Sequence, residues 1–343
     1  MKAAVLIATK DGAGTIMDTL NSVLAQCDVY LVSDGSTDDT VFIAQSMGAQ
    51  VLHLDVNIGK PAALFEASVH FDLLNRYDAL AILDDDTIVA HDFMEEALKI
   101  LESGNVAIAV GKTITNWSRK QYWNPLVASR AYSYWRYQAI LRRAQSAVNS
   151  LTCISGSNSV YTTAALREVL VRSTPYIVDD TYWTLEVHRR QLGRITYAPK
   201  AKAWIQDPTN LKDWYKQNIR WLWGSFQGIV GHKVLRKKTW FDFNYGCVIL
   251  DWIVYVLITP VLFILALFNW SEFVVAMYLG GYLIWSIAAA VMLRKWQLIP
   301  LTPALIVIDW IYRIVFLHAL IKTIKQPTVD SCKWESPKRE VKV

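Results

Sequence analysis

Cysteine is scarce and poorly placed for chemistry. The chain holds four, Cys27, Cys153, Cys247 and Cys332, with no Cys-x-x-Cys pair and no metal-ligand spacing. That excludes a thiolate metal centre and a disulfide framework and leaves reduced packing residues. Internal repeats and low-complexity tracts are missing as well. Before Lys10 there is only Lys2 and a short apolar run, too short for a signal peptide, so the catalytic part is expected in the cytosol. Bases are nearly absent from residues 1–110, which carry 5 Lys+Arg against 17 Asp+Glu. Residues 111–245 reverse this with 21 against 7, and the apolar excess begins after residue 245. A basic segment ahead of apolar ones fits an anionic inner leaflet or a bound diphosphate, and nucleic acid is not expected as a partner.

What is present begins with short apolar runs. Ala3–Ala8, Val29–Val32, Ala49–Leu54 and Ala79–Leu83 read as strands with helical segments between them, such as Ile16, Leu20, Val23 and Leu24. Alternation of this kind implies an α/β fold with a parallel, right-handed sheet. The fourth run ends in Asp84-Asp85-Asp86-Thr87. Ligands of open α/β sheets bind outside the carboxyl ends of the strands, and alternating carboxylates there can hold one hard divalent cation together with substrate phosphates. The triplet alone reads equally well as an acidic turn or a helix cap.

Three loops in order carry a resemblance. Asp34-Gly-Ser-Thr-Asp-Asp-Thr follows the second strand, Asn57-Ile-Gly-Lys60 the third, and Leu83-Asp-Asp-Asp-Thr87 the fourth. Together they resemble the nucleotide-binding turn, the Asn-x-Gly-Lys segment and the Asp-x-Asp motif of family-2 glycosyltransferases. The resemblance implies a GT-A domain, Rossmann-like with a mostly parallel sheet. It implies Asp34 at the uracil or ribose, Lys60 near the nucleotide, and Asp84 and Asp86 around the nucleotide and its Mn2+ or Mg2+. Ser33, Gly12 and Ala13 depart from the acidic or amide residues usual there, while Thr9 and Asp11 remain at the edge of the first strand.

The second half extends the match. Cys153-Ile-Ser-Gly156-Ser157-Asn158 resembles the family's Gly-rich strand beside the acceptor sugar, which implies acceptor contacts for Gly156, Ser157 and Asn158. Asp179-Asp180 resembles the Glu-Asp catalytic pair, with Asp180 in the place of the general base. An acceptor hydroxyl needs such a group to take its proton during attack. Gln217-Asn-Ile-Arg220-Trp221 is similar to the Gln-x-x-Arg-Trp motif of cellulose, chitin and hyaluronan synthases. On a helix Gln217, Arg220 and Trp221 share a face, so Arg220 can pair with diphosphate and Trp221 can stack on an acceptor sugar. Residues 119–150 are dense in aromatics and bases (Tyr132, Tyr134, Trp135, Arg136, Tyr137, Arg142, Arg143), suited to a headgroup-level surface or a saccharide cleft.

Four regions are therefore expected: a GT-A domain over 1–205, amphipathic interfacial helices over 206–245, a membrane region over 246–321 and a basic cytosolic tail over 322–343. Gly246–Phe268 and Phe273–Leu293 are long enough to cross the hydrocarbon, joined by Asn269-Trp-Ser-Glu272. Arg294-Lys295 and the tail bases belong inside. The third stretch, Leu298–Ile321, carries Pro300, Pro303, Asp309, Arg313 and His318. Trp334-Glu-Ser-Pro-Lys-Arg339 resembles the Trp-Gly-Thr-Arg segment of hyaluronan synthases, which implies two crossings and an interfacial or re-entrant third segment.

The expected activity is transfer of a sugar from a UDP-linked donor, of UDP-GlcNAc or UDP-Glc type, to a saccharide acceptor with inversion to a β-linkage. Two or three segments hardly line a polymer conduit alone. That leaves a homo-oligomer, or a short or lipid-linked acceptor as in ceramide glucosyltransferases, which share the Gln-x-x-Arg-Trp pattern. A non-catalytic nucleotide-binding membrane scaffold and a nucleotidyltransferase are the readings from other classes.

Overall fold

The computed structural model describes residues 1–268 and 271–331. Asn269 and Trp270 of the expected turn, Cys332, the Trp334–Arg339 segment and the tail bases Lys333, Lys338 and Lys342 lie outside the described residues. Eight strands form one sheet: β1 Ala3–Thr9, β2 Asp28–Asp34, β3 Gln50–Leu54, β4 Ala79–Asp84, β5 Ile88–Val89, β6 Val106–Thr115, β7 Asn158–Thr162 and β8 Arg194–Ile205. Their order is β3-β2-β1-β4-β7-β6-β8-β5. The four anticipated runs are the parallel half, β3-β2-β1-β4. β7 then enters antiparallel between β4 and β6, and β5 pairs antiparallel on the outer edge of β8. The sheet is therefore mixed, with its parallel half as expected.

Parity along the strands builds a core on each face. Leu6, Tyr30, Val32, Leu80 and Ile82 pack on one side, and Val5, Ile7, Leu31, Ala81 and Leu83 on the other. With both faces covered by helices, only the strand ends are left to open to solvent, and the polar loops gather there.

Seven helices matter for the site: α1 Lys60–His70, α2 Pro125–Arg136, α3 Asp179–Arg190, α4 Leu211–Gly231, α5 Trp240–Phe268, α6 Glu272–Leu293 and α7 Thr302–Lys325. By length and composition α5, α6 and α7 could each cross a membrane. α4, expected as an interfacial element, lies between them and the sheet domain. One of its faces carries Gly224, Gly228 and Gly231. A Cβ on Gly224 would stand 2.6 Å from Val178, and one on Gly228 2.6 Å from Leu185 and 2.7 Å from Thr181. α4 thus lies directly on the segment that carries Asp180. Its opposite face packs on α7 through Phe226–Phe316 rings 4.9 Å apart and a 3.0 Å hydrogen bond between Tyr215 and His318.

α5 is fastened to the sheet domain where it begins. Arg189, at the C-terminal end of α3, donates to both oxygens of Asp242 at 2.9 and 2.7 Å, and both side chains are buried. α6 comes back to the same domain: Trp285 meets Trp135 and Lys295 lies over Trp117. α7 touches the sheet domain near its start and α4 near its end. Leu305 clusters with Trp117, Val127 and Ala128, while Lys322 lies 4.0 Å over Trp223. Beyond α7 the carbonyl of Gln326 accepts from Trp223 and Gln227, and the Val329 amide donates to Pro175. Asp309 of α7 accepts from the hydroxyls of Tyr255 and Tyr282 and pairs with Arg313, tying the three apolar helices together. Apolar side chains elsewhere on them, among them Leu262, Phe273, Ile284, Ile314 and Ile324, face outward.

The glycine face of α4 is testable. Gly228→Ala places a methyl inside Leu185 and Thr181 and is expected to cost about 1–3 kcal/mol. Thermal unfolding in detergent should show a lowered Tm. Gly280→Ala on α6, where a Cβ meets nothing within 4 Å, should leave it unchanged.

Candidate active site

The loops after the first strands are zipped together by their own polar side chains. Asp11, at φ +52, accepts from the Thr37 amide, Thr40 Oγ1 accepts from the Gly12 amide, and Asp38 accepts from the Ala13 amide. The Asp34–Thr40 turn therefore spends most of its hydroxyls and carboxylates on shape. Asp34 itself is buried, and both its oxygens accept backbone amides, from Ile58 at 2.7 Å and Gly59 at 2.9 Å. Its carboxyl is held above the usual carboxylate range by burial, against the pull of those two amides. It lines the cavity as expected while also anchoring the next loop.

The Asn57-x-Gly-Lys segment has a local reason for each residue. Asn57 Oδ1 accepts from the Gly59 amide at 2.9 Å. Gly59 has φ +89, a conformation that favours glycine, and it opens α1 with Lys60 first and Pro61 second. Lys60 is thereby aimed at the strand tips, where Nζ donates to Asp84 Oδ1 at 2.5 Å and to the Gly156 carbonyl at 3.3 Å. Burial works against its ammonium, but Asp84, Asp179 and Asp180 together hold its pKa above the ordinary lysine range.

All three acids of the triplet line the cavity. Asp85 also accepts from Thr9 Oγ1 at 2.5 Å, and Asp86 is only 5% exposed. Among the described residues no three His, Cys, Asp or Glu side chains converge to cage an ion. Two hard oxygen donors beside a large cavity fit a Mg2+- or Mn2+-type ion that takes the rest of its shell from phosphates and water.

Asp180 stands in the first turn of α3 but does not cap it. The N-cap is Val178, with no side-chain bond. Asp180 Oδ2 instead accepts from the Gly156 amide at 3.2 Å, and Oδ1 is buried without a hydrogen-bond partner among the described residues. A Cβ on Gly156 would sit 3.1 Å from Asp180 Oδ2, so the glycine lets the carboxylate approach the backbone. Withdrawal from water, then the neighbouring Asp179, pushes its carboxyl up to about 7 against the opposing Lys60 and Arg220. A carboxyl poised there suits a proton acceptor near neutral pH.

One cavity of about 1690 Å³ joins these groups. Asp34, Lys60, Asp84, Asp86, Gly156, Ser157, Asp180, Gln217, Arg220 and Trp221 all line it. Asn158 does not: it begins β7 opposite Leu83, fully buried, with its amide donating to Thr113 at 3.2 Å. That corrects its expected contact with an acceptor. Drug-sized ligands occupy pockets of about 300–1,000 Å³, so this one has room for a donor and part of an acceptor. It continues between the apolar helices, past Asp251 and Tyr255 to Tyr282 and Asp309. Arg130, singled out by no motif, also lines it and donates to Gln217.

Known proteins share these features. Poly-β-1,6-N-acetyl-D-glucosamine synthase of Staphylococcus epidermidis is 26% identical over 247 residues, covering 68% of this chain and 56% of that protein. The Staphylococcus aureus synthase of the same name is 27% identical over 251 residues, covering 68% and 55%. The chain thus spans little more than half the length of these curated relatives. Among solved structures, the mannosyltransferase PcManGT from Pyrobaculum calidifontis, in complex with GDP-Man and Mn2+, superposes with a TM-score of 0.62. At 15% identity, over 94% of this chain and 87% of that one, this shows a shared GT-A fold. The model of the family described as glycosyltransferase like family 2 matches residues 2–224, well over half of the chain, and the protein belongs to that family.

Proposed function

We propose that this glycosyltransferase moves a sugar, with inversion, from a UDP-linked donor of the UDP-GlcNAc or UDP-Glc type to a saccharide acceptor, making a β-linked glycan. The observation that carries the reading is the placement of Asp84 and Asp86, Asp180, Arg220 and Trp221 around one cavity. The name of the staphylococcal relatives supports N-acetylglucosamine as the sugar.

In this reading Asp180 accepts the proton of the acceptor hydroxyl as its oxygen attacks the anomeric carbon. The bond from that carbon to the diphosphate breaks on the opposite face, and UDP leaves. Lys60 and Arg220 lie close enough to Asp180 to act on its charge, and both can pair with the diphosphate. A Mn2+ or Mg2+ held by Asp84 and Asp86 would neutralise charge developing on the leaving group. Trp221, half-buried on the cavity wall, offers a ring to the acceptor.

We place the catalytic domain in the cytosol, with α5 and α6 crossing the membrane and α7 lying along its inner face. Contacts with the one domain at the start of α7, through Leu305, and just past its end, through the Val329 amide on the Pro175 carbonyl, support this, because a helix that spans would carry one end about 30 Å away. A lipid-linked acceptor is the second reading. It is favoured by four exposed apolar side chains, Ile140, Leu141, Val148 and Val254, that line the same cavity.

Incubating the detergent-purified protein with a panel of nucleotide sugars and MnCl2 tests the donor. UDP release from UDP-GlcNAc or UDP-Glc is expected, with loss in EDTA, recovery on adding metal and a β-linkage by NMR. Turnover of GDP-mannose alone would overturn the UDP reading. Asp180→Asn is expected to lower kcat about 10²–10⁴-fold. The wild-type kcat/KM should fall as pH drops through about 7, where the base becomes protonated. Stability should move the other way. A carboxyl whose folded pKa is raised destabilises the fold progressively from about pH 4 upward, and fully above its folded pKa. D180N should therefore have the higher Tm at pH 8, by a margin that shrinks towards pH 4.

A further inference from the structure

Behind the Gln217 and Trp221 edge of the cavity stands a buried arginine that the chemistry above does not use. Arg130, 7% exposed, projects from α2, and its Nη2 donates to Gln217 Oε1 at 2.8 Å. Its guanidinium carbon lies 4.5 Å from the centre of the Trp221 ring and 5.7 Å from that of Trp214. A buried cation requires a counter-charge, and Asp207 supplies it, with Oδ1 3.7 Å from Arg130 Nε and a side chain only 1% exposed. Tyr134, one turn further along α2, donates to the same carboxylate at 3.2 Å. Asn124, the N-cap of α2, donates to the Thr209 carbonyl at 2.8 Å. α2 thus grips the link from β8 into α4 and places one planar cation against the motif on α4.

We propose that Arg130 is a positioning residue for sugar transfer, fixing the Trp221 indole and the Gln217 amide so that Trp221 presents its ring to the acceptor sugar. A guanidinium held over an indole ring limits the ring's torsional freedom, which a point-charge ammonium does less well. With Oε1 engaged, Gln217 keeps its amide nitrogen as the donor towards the cavity. The inference rests on the reading of Trp221 as the acceptor platform.

The test uses the full chain in detergent, with UDP-GlcNAc as donor and a β-linked N-acetylglucosamine disaccharide as acceptor. R130M should raise the acceptor KM about tenfold, the scale of a lost cation–π contact with its hydrogen bond. Its donor KM and acceptor-independent UDP release should stay within about twofold, and R130K should recover part of the loss. The double variant R130M/W221A should be no worse than W221A alone, because Arg130 acts through the indole. An unchanged acceptor KM, an equal fall in UDP release, or a double variant showing both losses in full would overturn the proposal. If the wild type transfers to the disaccharide from no UDP-sugar, the functional reading fails by itself. Thermal unfolding of the wild type, R130M, W221A and the double variant then decides on Arg130: non-additive changes keep the Arg130–Trp221 coupling, and additive ones end it.

Discussion

The backbone of Gly156 holds the two halves of the site together. Its amide donates to Asp180 and its carbonyl accepts from Lys60, which in turn pairs with Asp84. The acid at the strand tip and the candidate base on α3, 96 positions apart in sequence, are thereby linked through one residue that has no side chain. Any Cβ there would press on the Asp180 carboxylate, so the link depends on glycine as much as on the charges. The cluster is electrostatically costly: Asp84, Asp86, Asp179 and Asp180 converge with Lys60 and Arg220 around the cavity. Part of that cost shows in the raised pKa of Asp180, a form of strain that a catalytic carboxyl turns to use.

Around this link the chain packs the apolar helices against the candidate site. α4 sits between them, its glycine face against α3 and its aromatic face against α7. The buried Arg189–Asp242 pair fastens the far end of α3 to the start of α5. Displacement of the apolar helices would therefore be felt at Asp180 through close-packed contacts, since interiors transmit strain instead of absorbing it. The cavity follows the same path, from the strand tips past Trp221 to Tyr282 and Asp309.

Much of this was legible in the sequence where the backbone itself imposes a residue. The parallel half of the sheet was written in apolar runs buried on both faces. The motif loops were found because each must present fixed atoms at a strand end. A strand at β7 was implied by the Gly-rich resemblance, but its antiparallel direction was not, because a run this short carries no sign of its direction. β8 mixes Pro199, Lys200 and Lys202 into its pattern, which hides it. Asn158 was misplaced by a single step: the cavity wall ends at Ser157, and strand pairing turns the next side chain into the core. Arg130 carried no signal of its own among the bases of residues 119–150. The spacing of Gly224, Gly228 and Gly231 was visible, but its meaning depends on α3 lying opposite, which sequence order does not reveal. For α7, length and composition allow a crossing, and the proposal that it lies against the domain rests on the Trp334–Arg339 resemblance together with its contacts near Leu305 and Val329.

The central claim is that the strand-tip acids hold a divalent ion only in partnership with a nucleotide diphosphate, in the cavity Asp180 shares. Electron paramagnetic resonance of Mn2+ titrated into the purified protein, with and without UDP, measures this directly. The account predicts that UDP tightens Mn2+ binding to the wild type, that Asp86→Asn loses most of this effect, and that Asp180→Asn retains it. Equal UDP-dependent Mn2+ binding by wild type and D86N would contradict it.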